Sequence, residues 1–141
     1  MRVAIDSPAF IYAFEDDGEL GDLARALFLQ IETGQYGAIA STLCLTEVIA
    51  KPASLSEEVA FETQMFLESI ENLDYLPVDM EVAIRAGRLR AEFGSKLRTA
   101  DAIHLATAIY HQADVLITND YYLAGLTVAG LKIKKLGEPL A

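Results

Sequence analysis

Four acidic residues, widely separated in the chain, each sit in an apolar setting: Asp6 in "VAIDSPAF", Glu47 in "LCLTEVIA", Asp101 in "ADAIHLA" and Asp120 in "DVLITND". A carboxylate drawn partly out of water is costly unless a cation or good donors compensate it. Four brought together would raise one another's pKa values until some stayed protonated. No Lys or Arg adjoins Asp6 or Glu47 in sequence, so the natural compensator is a hard divalent cation. Carboxylate oxygens and water suit Mg²⁺ or Mn²⁺, and with no cluster of His or Cys, zinc is disfavoured. Such an ion can activate a water and offset the charge that builds on a phosphate during in-line displacement. Each acid also has a plain structural alternative. Asp6 could cap a following helix, Asp101 could favour a helix dipole with Thr99 as cap, Asp120 could sit in a turn, and Glu47 could bond nearby backbone. His104, one turn from Asp101, is either a packed core residue or part of the same site.

For these groups to meet, the elements must bring them to one place. Arg2–Ile5 reads as a short strand closed by Asp6, and Pro8 suits the first turn of a helix. Leu23, Leu27 and Ile31 mark a helix over 21–32, stopped near Gly34. "YGAIAST" is a second strand, and Leu43–Ala50 is helical until Lys51 and Pro52 interrupt it. Ser54 and Glu57 resemble a capping box that opens a long helix to about Asn72, with Val59, Phe61, Met65, Phe66 and Ile70 on its buried side. That stripe could instead be a dimer or partner face. "LDYLPV" is a third strand that Pro77 pushes towards the sheet edge. Asp79–Phe93 and Thr99–His111 are helical, "DVLITND" is a fourth strand, and "LKIKKL" alternates as a half-exposed edge strand does. Strands alternating with helices predict an α/β domain, one unit spanning 1–141, with a largely parallel sheet of four or five strands between helical layers. In such sheets functional groups collect beyond the carboxyl ends of the strands. Asp6, Glu47, Asp101, Asn119 and Asp120 all fall there.

The chain has 141 residues, 52% of them apolar, enough for a core without disulfides. Its one cysteine, Cys44, excludes an intramolecular disulfide and fits a reducing compartment. With no signal-like or spanning segment, the expectation is a cytoplasmic protein that does not enter a membrane. The net charge of −10 speaks against nucleic acid at first sight. The average hides an asymmetry, since residues 1–82 carry 3 basic and 16 acidic side chains and residues 83–141 carry 8 and 5. A polyanion would meet the second part, through some of Arg85, Arg88, Arg90, Lys96, Arg98, Lys132, Lys134 and Lys135. Charge alone is equally compatible with an uneven, solubilising surface.

These segments resemble the motifs of the PIN-domain family. "VAIDSPAFIYAFE" looks like its opening strand and helix, "STLCLTEVIAKP" its second motif, "LRTADAIHLATAI" its third and "DVLITND" its fourth, in the right order from Arg2 to about Leu136. The resemblance implies a three-layer α/β/α sandwich and a Mg²⁺- or Mn²⁺-dependent ribonuclease. Among small chains it implies a VapC-like toxin, neutralised by a VapB-like antitoxin and paired as a homodimer. It places catalytic and metal-binding roles on Asp6, Glu47, Asp101 and Asp120, with Thr118 and the weaker candidate Asn119 in support. Arg85, Arg88, Lys96 and Arg98 are then the candidates to receive RNA. Pro8 departs from the Asn or Ser that relatives often carry there. The alternatives are an RNA-processing nuclease outside any toxin pair, a PIN-like binding module without turnover, and a dehalogenase-like phosphatase. The last of these wants a second Asp where Pro8 stands.

Overall fold

The computed structural model describes residues 1–140. Five strands, β1 (Arg2–Ile5), β2 (Gly37–Ser41), β3 (Leu73–Leu76), β4 (Val115–Ile117) and β5 (Lys132–Lys134), form one sheet in the order β3-β2-β1-β4-β5, with every neighbouring pair parallel. Parallel pairing requires a crossover between strands. These are supplied by α1 (Ser7–Glu15) and α2 (Glu19–Glu32), then α3 (Leu43–Leu55) and α4 (Glu57–Ser69), then α5 (Met80–Phe93) and α6 (Thr99–Tyr110), and finally the short α7 (Tyr121–Ala124).

Side chains alternate across the sheet, so each strand feeds two cores. Val3 and Ile5 of β1 join Phe10, Phe28, Ile31, Cys44 and Leu67 under α1 to α4, whereas Ala4 joins Ile39, Leu116, Val82, Leu97 and Leu105 under α5 and α6. The result is the three-layer α/β/α sandwich expected. Both outer strands are those expected at the edges, β3 before Pro77 and β5 with its lysines. A chain that builds outward from β1 through β2 to β3 and then returns to lay β4 on the other side creates a switch point between β1 and β4. Ile5 lies beside Ile117 there, so Asp6 and Thr118 leave neighbouring strands together.

Three local expectations are corrected. Pro52 does not end α3. The helix runs on to Leu55, with Pro52 itself buried, because neighbouring turns tolerate the lost N–H once packing holds the segment. The cap of the next helix is Ser56 rather than Ser54, its hydroxyl accepting from the Val59 N–H at 3.1 Å. Along α4, Thr63 and Leu67 face the core, while Phe61 and Met65 are 62% and 50% exposed. The face expected to be buried is therefore turned partly outward, since an apolar count does not set the phase of a helix whose acidic residues spread around it.

Candidate active site

Asp6 occupies the position before α1, yet its side chain makes no capping bond, and it is only 4% exposed. A structural capping role is thereby removed. Burial pushes its carboxyl from the usual 3.8 up to about 6, with the nearby Asp101 and Glu47 adding to the rise, while a hydrogen bond with Thr118 and the proximity of His104 oppose it. Thr118, fully enclosed at the end of β4, accepts the Asp120 N–H at 3.1 Å through the same Oγ1. Thr118 thus stands beside the acid of the first strand while it holds the backbone of the fourth strand's acid.

Asp101 lies in the first turn of α6, where the helix N-terminus favours negative charge. Its Oδ2 accepts from Arg98 Nε at 3.1 Å, and the same guanidinium stands 3.6 Å from Asp120 Oδ2. Asp101 and Asp120 hold the Arg98 guanidinium above its ordinary pKa. Asp120 does two jobs: its Oδ1 caps α7 through the Leu123 N–H at 2.9 Å, leaving Oδ2 for the pocket. That short helix was not legible in the sequence, although an Asp before "YYLA" is the signal that marks it.

Glu47, one turn into α3, faces the same space. Its Oε1 accepts from the Ser7 hydroxyl at 2.5 Å and lies 2.6 Å from His104 Nε2. The His104 bond, and secondarily the Ser7 bond, hold the Glu47 carboxyl below its ordinary range despite partial burial. His104 therefore belongs to the site and not merely to the core, and Ser7 is a member that sequence reasoning missed. Its place directly after Asp6, at the start of a helix, is the only signal that could have found it.

Asn119 turns away, its Oδ1 accepting the Leu136 N–H at 3.0 Å. Among the basic candidates, Arg98 stands at the pocket itself. Lys134 and Lys135 reach the same end of the sheet, since the Thr118 N–H bonds the Lys134 carbonyl, and Lys135 Nζ lies 3.8 Å from the ring centroid of the exposed Tyr121. Lys132 lies at the opposite strand end, its N–H on the Asp114 carbonyl, and Arg90 is spent on the Leu97 carbonyl. Arg85 stacks on Tyr110 at 5.0 Å, nine residues beyond Asp101 and so roughly 13 Å along the helix. Arg88 lines the same cleft as Arg85, between α5 and the second half of α6. Lys96 is exposed in the α5–α6 loop. Cys44 is buried, and burial pushes its thiol up to about 12, which leaves it unreactive.

Among the described residues no three His, Cys, Asp or Glu side chains stand close enough to enclose a metal ion as they are. The donor set nevertheless fits one. It offers hard oxygen ligands only, around a buried Asp6 that lacks a cation of its own, and a guanidinium already bridges Asp101 and Asp120 as a positive charge would.

The sequence matches the PIN domain family over residues 3–127. The chain belongs to the PIN domain family. Solved PIN-type structures share its architecture. A chain of the VapBC2 complex from Rickettsia felis, bound to a DNA fragment from their promoter, superposes with a TM-score of 0.73 at 18% identity, over 96% of this chain and 98% of that one. A toxin–antitoxin complex from Klebsiella pneumoniae gives 0.67 at 24% identity, over 92% and 94%. VapC20 from Mycobacterium tuberculosis, a toxin that cleaves the sarcin–ricin loop, gives 0.70 at 12% identity, over 89% and 96%. No curated protein sequence matches the chain. No helix among the described residues is long and apolar enough to cross a membrane.

Proposed function

We propose that this PIN domain is a Mg²⁺- or Mn²⁺-dependent endoribonuclease and the toxin of a VapBC-like pair. The observation that carries the reading is Asp6: a buried, uncapped carboxyl at the β1–β4 switch point, bonded to Thr118 and close enough to Asp101 and Glu47 for both to raise its pKa. Asp6 and Asp101 would hold the ion, with Glu47 and Asp120 completing its surroundings. A bound Mg²⁺ or Mn²⁺ would ease deprotonation of a water and offset charge on the scissile phosphate. Thr118 holds the backbone of Asp120 and moderates the pKa of the neighbouring Asp6. Arg98, 74% exposed at its side chain, is free to leave the carboxylates and pair with phosphate, to which its fork is suited. Lys135 and Tyr121 flank the same strand ends, offering a charge for the backbone and an aromatic face for an unpaired base. Arg85, Arg88 and Lys96 stand as outlying RNA contacts.

A VapB-like antitoxin is the partner we assign, supported by the toxin–antitoxin complexes that share the fold. The space that accepts the Arg98 guanidinium would accept an Arg from such a partner equally well. Homodimerisation is supported by exposed apolar side chains on α5, with Met80 at 79% and Ile84 at 50% exposure. We read residues 1–141 as one domain acting in the cytoplasm. Purified protein should cleave single-stranded RNA pools in Mn²⁺ and lose that activity in EDTA and as Asp101→Asn. Cleavage that persists in either condition sinks this mechanism.

A further inference from the structure

We infer that Ser7 and His104 act as a two-donor clamp on Glu47, turning one carboxylate oxygen to the protein and presenting the other to the metal. The inference rests on the metal-dependent reading of the pocket and concerns positioning: neither residue need touch substrate.

The three side chains form a tight triangle. Ser7 Oγ donates to Glu47 Oε1 at 2.5 Å, His104 Nε2 lies 2.6 Å from that oxygen, and Ser7 Oγ and His104 Nε2 are 3.3 Å apart. Both donors therefore converge on Oε1, and no protein hydrogen bond engages Oε2 among the described residues. Ser7 and His104 are almost wholly enclosed, whereas the Glu47 side chain is 35% exposed. A glutamate with that much freedom would sample several rotamers, and two buried donors fix it in one.

The direction of the His104 bond follows from its partner. A carboxylate oxygen only accepts, so the hydrogen in the 2.6 Å contact is on His104 Nε2. Nδ1 is buried and has no hydrogen-bond partner, which leaves Nε2 to make the ring's polar contacts. A histidine serving only as core filler should have both nitrogens satisfied or be replaceable by an apolar side chain of similar size. Here the bond to Glu47 is what offsets the unpartnered Nδ1.

The placement is economical in sequence. Ser7 follows Asp6, and His104 is three residues from Asp101 on the same face of α6. Each of the two segments that supply a firm metal ligand thus also supplies one donor to Glu47, which itself comes from a third. Movement of either segment would displace a ligand and the clamp together.

The test is calorimetric titration of the metal-free full chain with Mn²⁺ alone, backed by thermal melts. Ser7→Ala and His104→Leu should each weaken Mn²⁺ binding by roughly tenfold or more, as loss of residues that orient a ligand does. His104→Gln, whose amide N–H can occupy the place of Nε2, should stay within about threefold of wild type. In a Glu47→Ala background, Ser7→Ala and His104→Leu should change affinity by less than about twofold, because the group they act through is gone. If the single variants bind as wild type does, or if their losses add in full to that of Glu47→Ala, the clamp is overturned while the pocket stands. A wild-type chain that binds no Mn²⁺ overturns the pocket reading and the clamp with it. Should His104→Leu fail to fold, Ser7→Ala, which removes one hydroxyl, decides between these outcomes.

Discussion

Asp6 and Arg98 represent opposite answers to the same difficulty, a negative charge placed where water is scarce. Asp6 has no cation, and its carboxyl rises from 3.8 in the unfolded chain to about 6 in the fold. Because the folded value lies above the unfolded one, the folded state holds this proton more tightly, and ionisation costs stability as pH climbs from about 4 through 6. The full difference is about 3 kcal/mol. Urea unfolding in EDTA should therefore show wild type losing about 2 kcal/mol relative to Asp6→Asn between about pH 4 and pH 7, with Asp6→Asn the more stable at neutral pH. Glu47, held low by His104 and Ser7, acts with the opposite sign: its stabilisation is fully present above its unfolded value and is lost as pH falls below it. Divalent ions should bind more weakly below pH 6, where they compete with the Asp6 proton. Arg98 answers the difficulty for Asp101 and Asp120 at a solvent-exposed position, where water screens such pairs and leaves them weak. Arg98→Gln should accordingly tighten Mn²⁺ binding by up to about fivefold, since nothing need be displaced. A weaker affinity in that variant, read by titration calorimetry, means that Arg98 is not a competitor for the site.

At the level of the elements, the junction between α1 and α2 leaves no room for a side chain at Gly21. The Gly21 N–H bonds Asp16 Oδ2 at 2.7 Å, Arg25 reaches the Asp16 carbonyl at 2.9 Å, and a Cβ on Gly21 would fall on that carbonyl. Gly21→Ala should cost about 1–3 kcal/mol in denaturant unfolding, as overpacking does, without removing any residue of the acidic pocket. Ser56→Ala, which deletes the cap of α4, should cost about 1 kcal/mol and leave cleavage unchanged. The strands were legible in the sequence, β1, β2 and β4 as short apolar runs bounded by turn residues and β5 by its alternation of apolar and basic residues, and Asp6, Asp101 and Asp120 stood out as charges against that background. The phase of α4 was not legible, since Phe61 and Met65 satisfy a helical period on either face. Ser7 was hidden for another reason. A serine before a proline at a helix start is ordinary, and only the approach of Glu47 and His104, 40 and 97 residues away, gives it a role.

Across the whole molecule, acidic groups outnumber basic ones, and few cations stand near the acidic strand ends. Arg98, Lys134 and Lys135 are the cations brought near the acidic strand ends, and for three phosphate contacts with a single strand the plot of log affinity against log salt should have a slope no steeper than about −2. A much steeper slope, measured by fluorescence anisotropy in Ca²⁺ to suppress cleavage, would bring in the outlying Arg85, Arg88 and Lys96 beyond Arg98, Lys134 and Lys135. The order β3-β2-β1-β4-β5 reaches further than the site's geometry. The β1–β4 seam joins segments far apart in the chain, with the Arg2 N–H on the Asp114 carboxylate across 112 residues. In order of synthesis Asp6 and Glu47 come before β4, Thr118 and Asp120. A nascent chain that stops short of β4 has nothing to close the pocket against Asp6, so the acidic centre stays unassembled until β4 has followed α6.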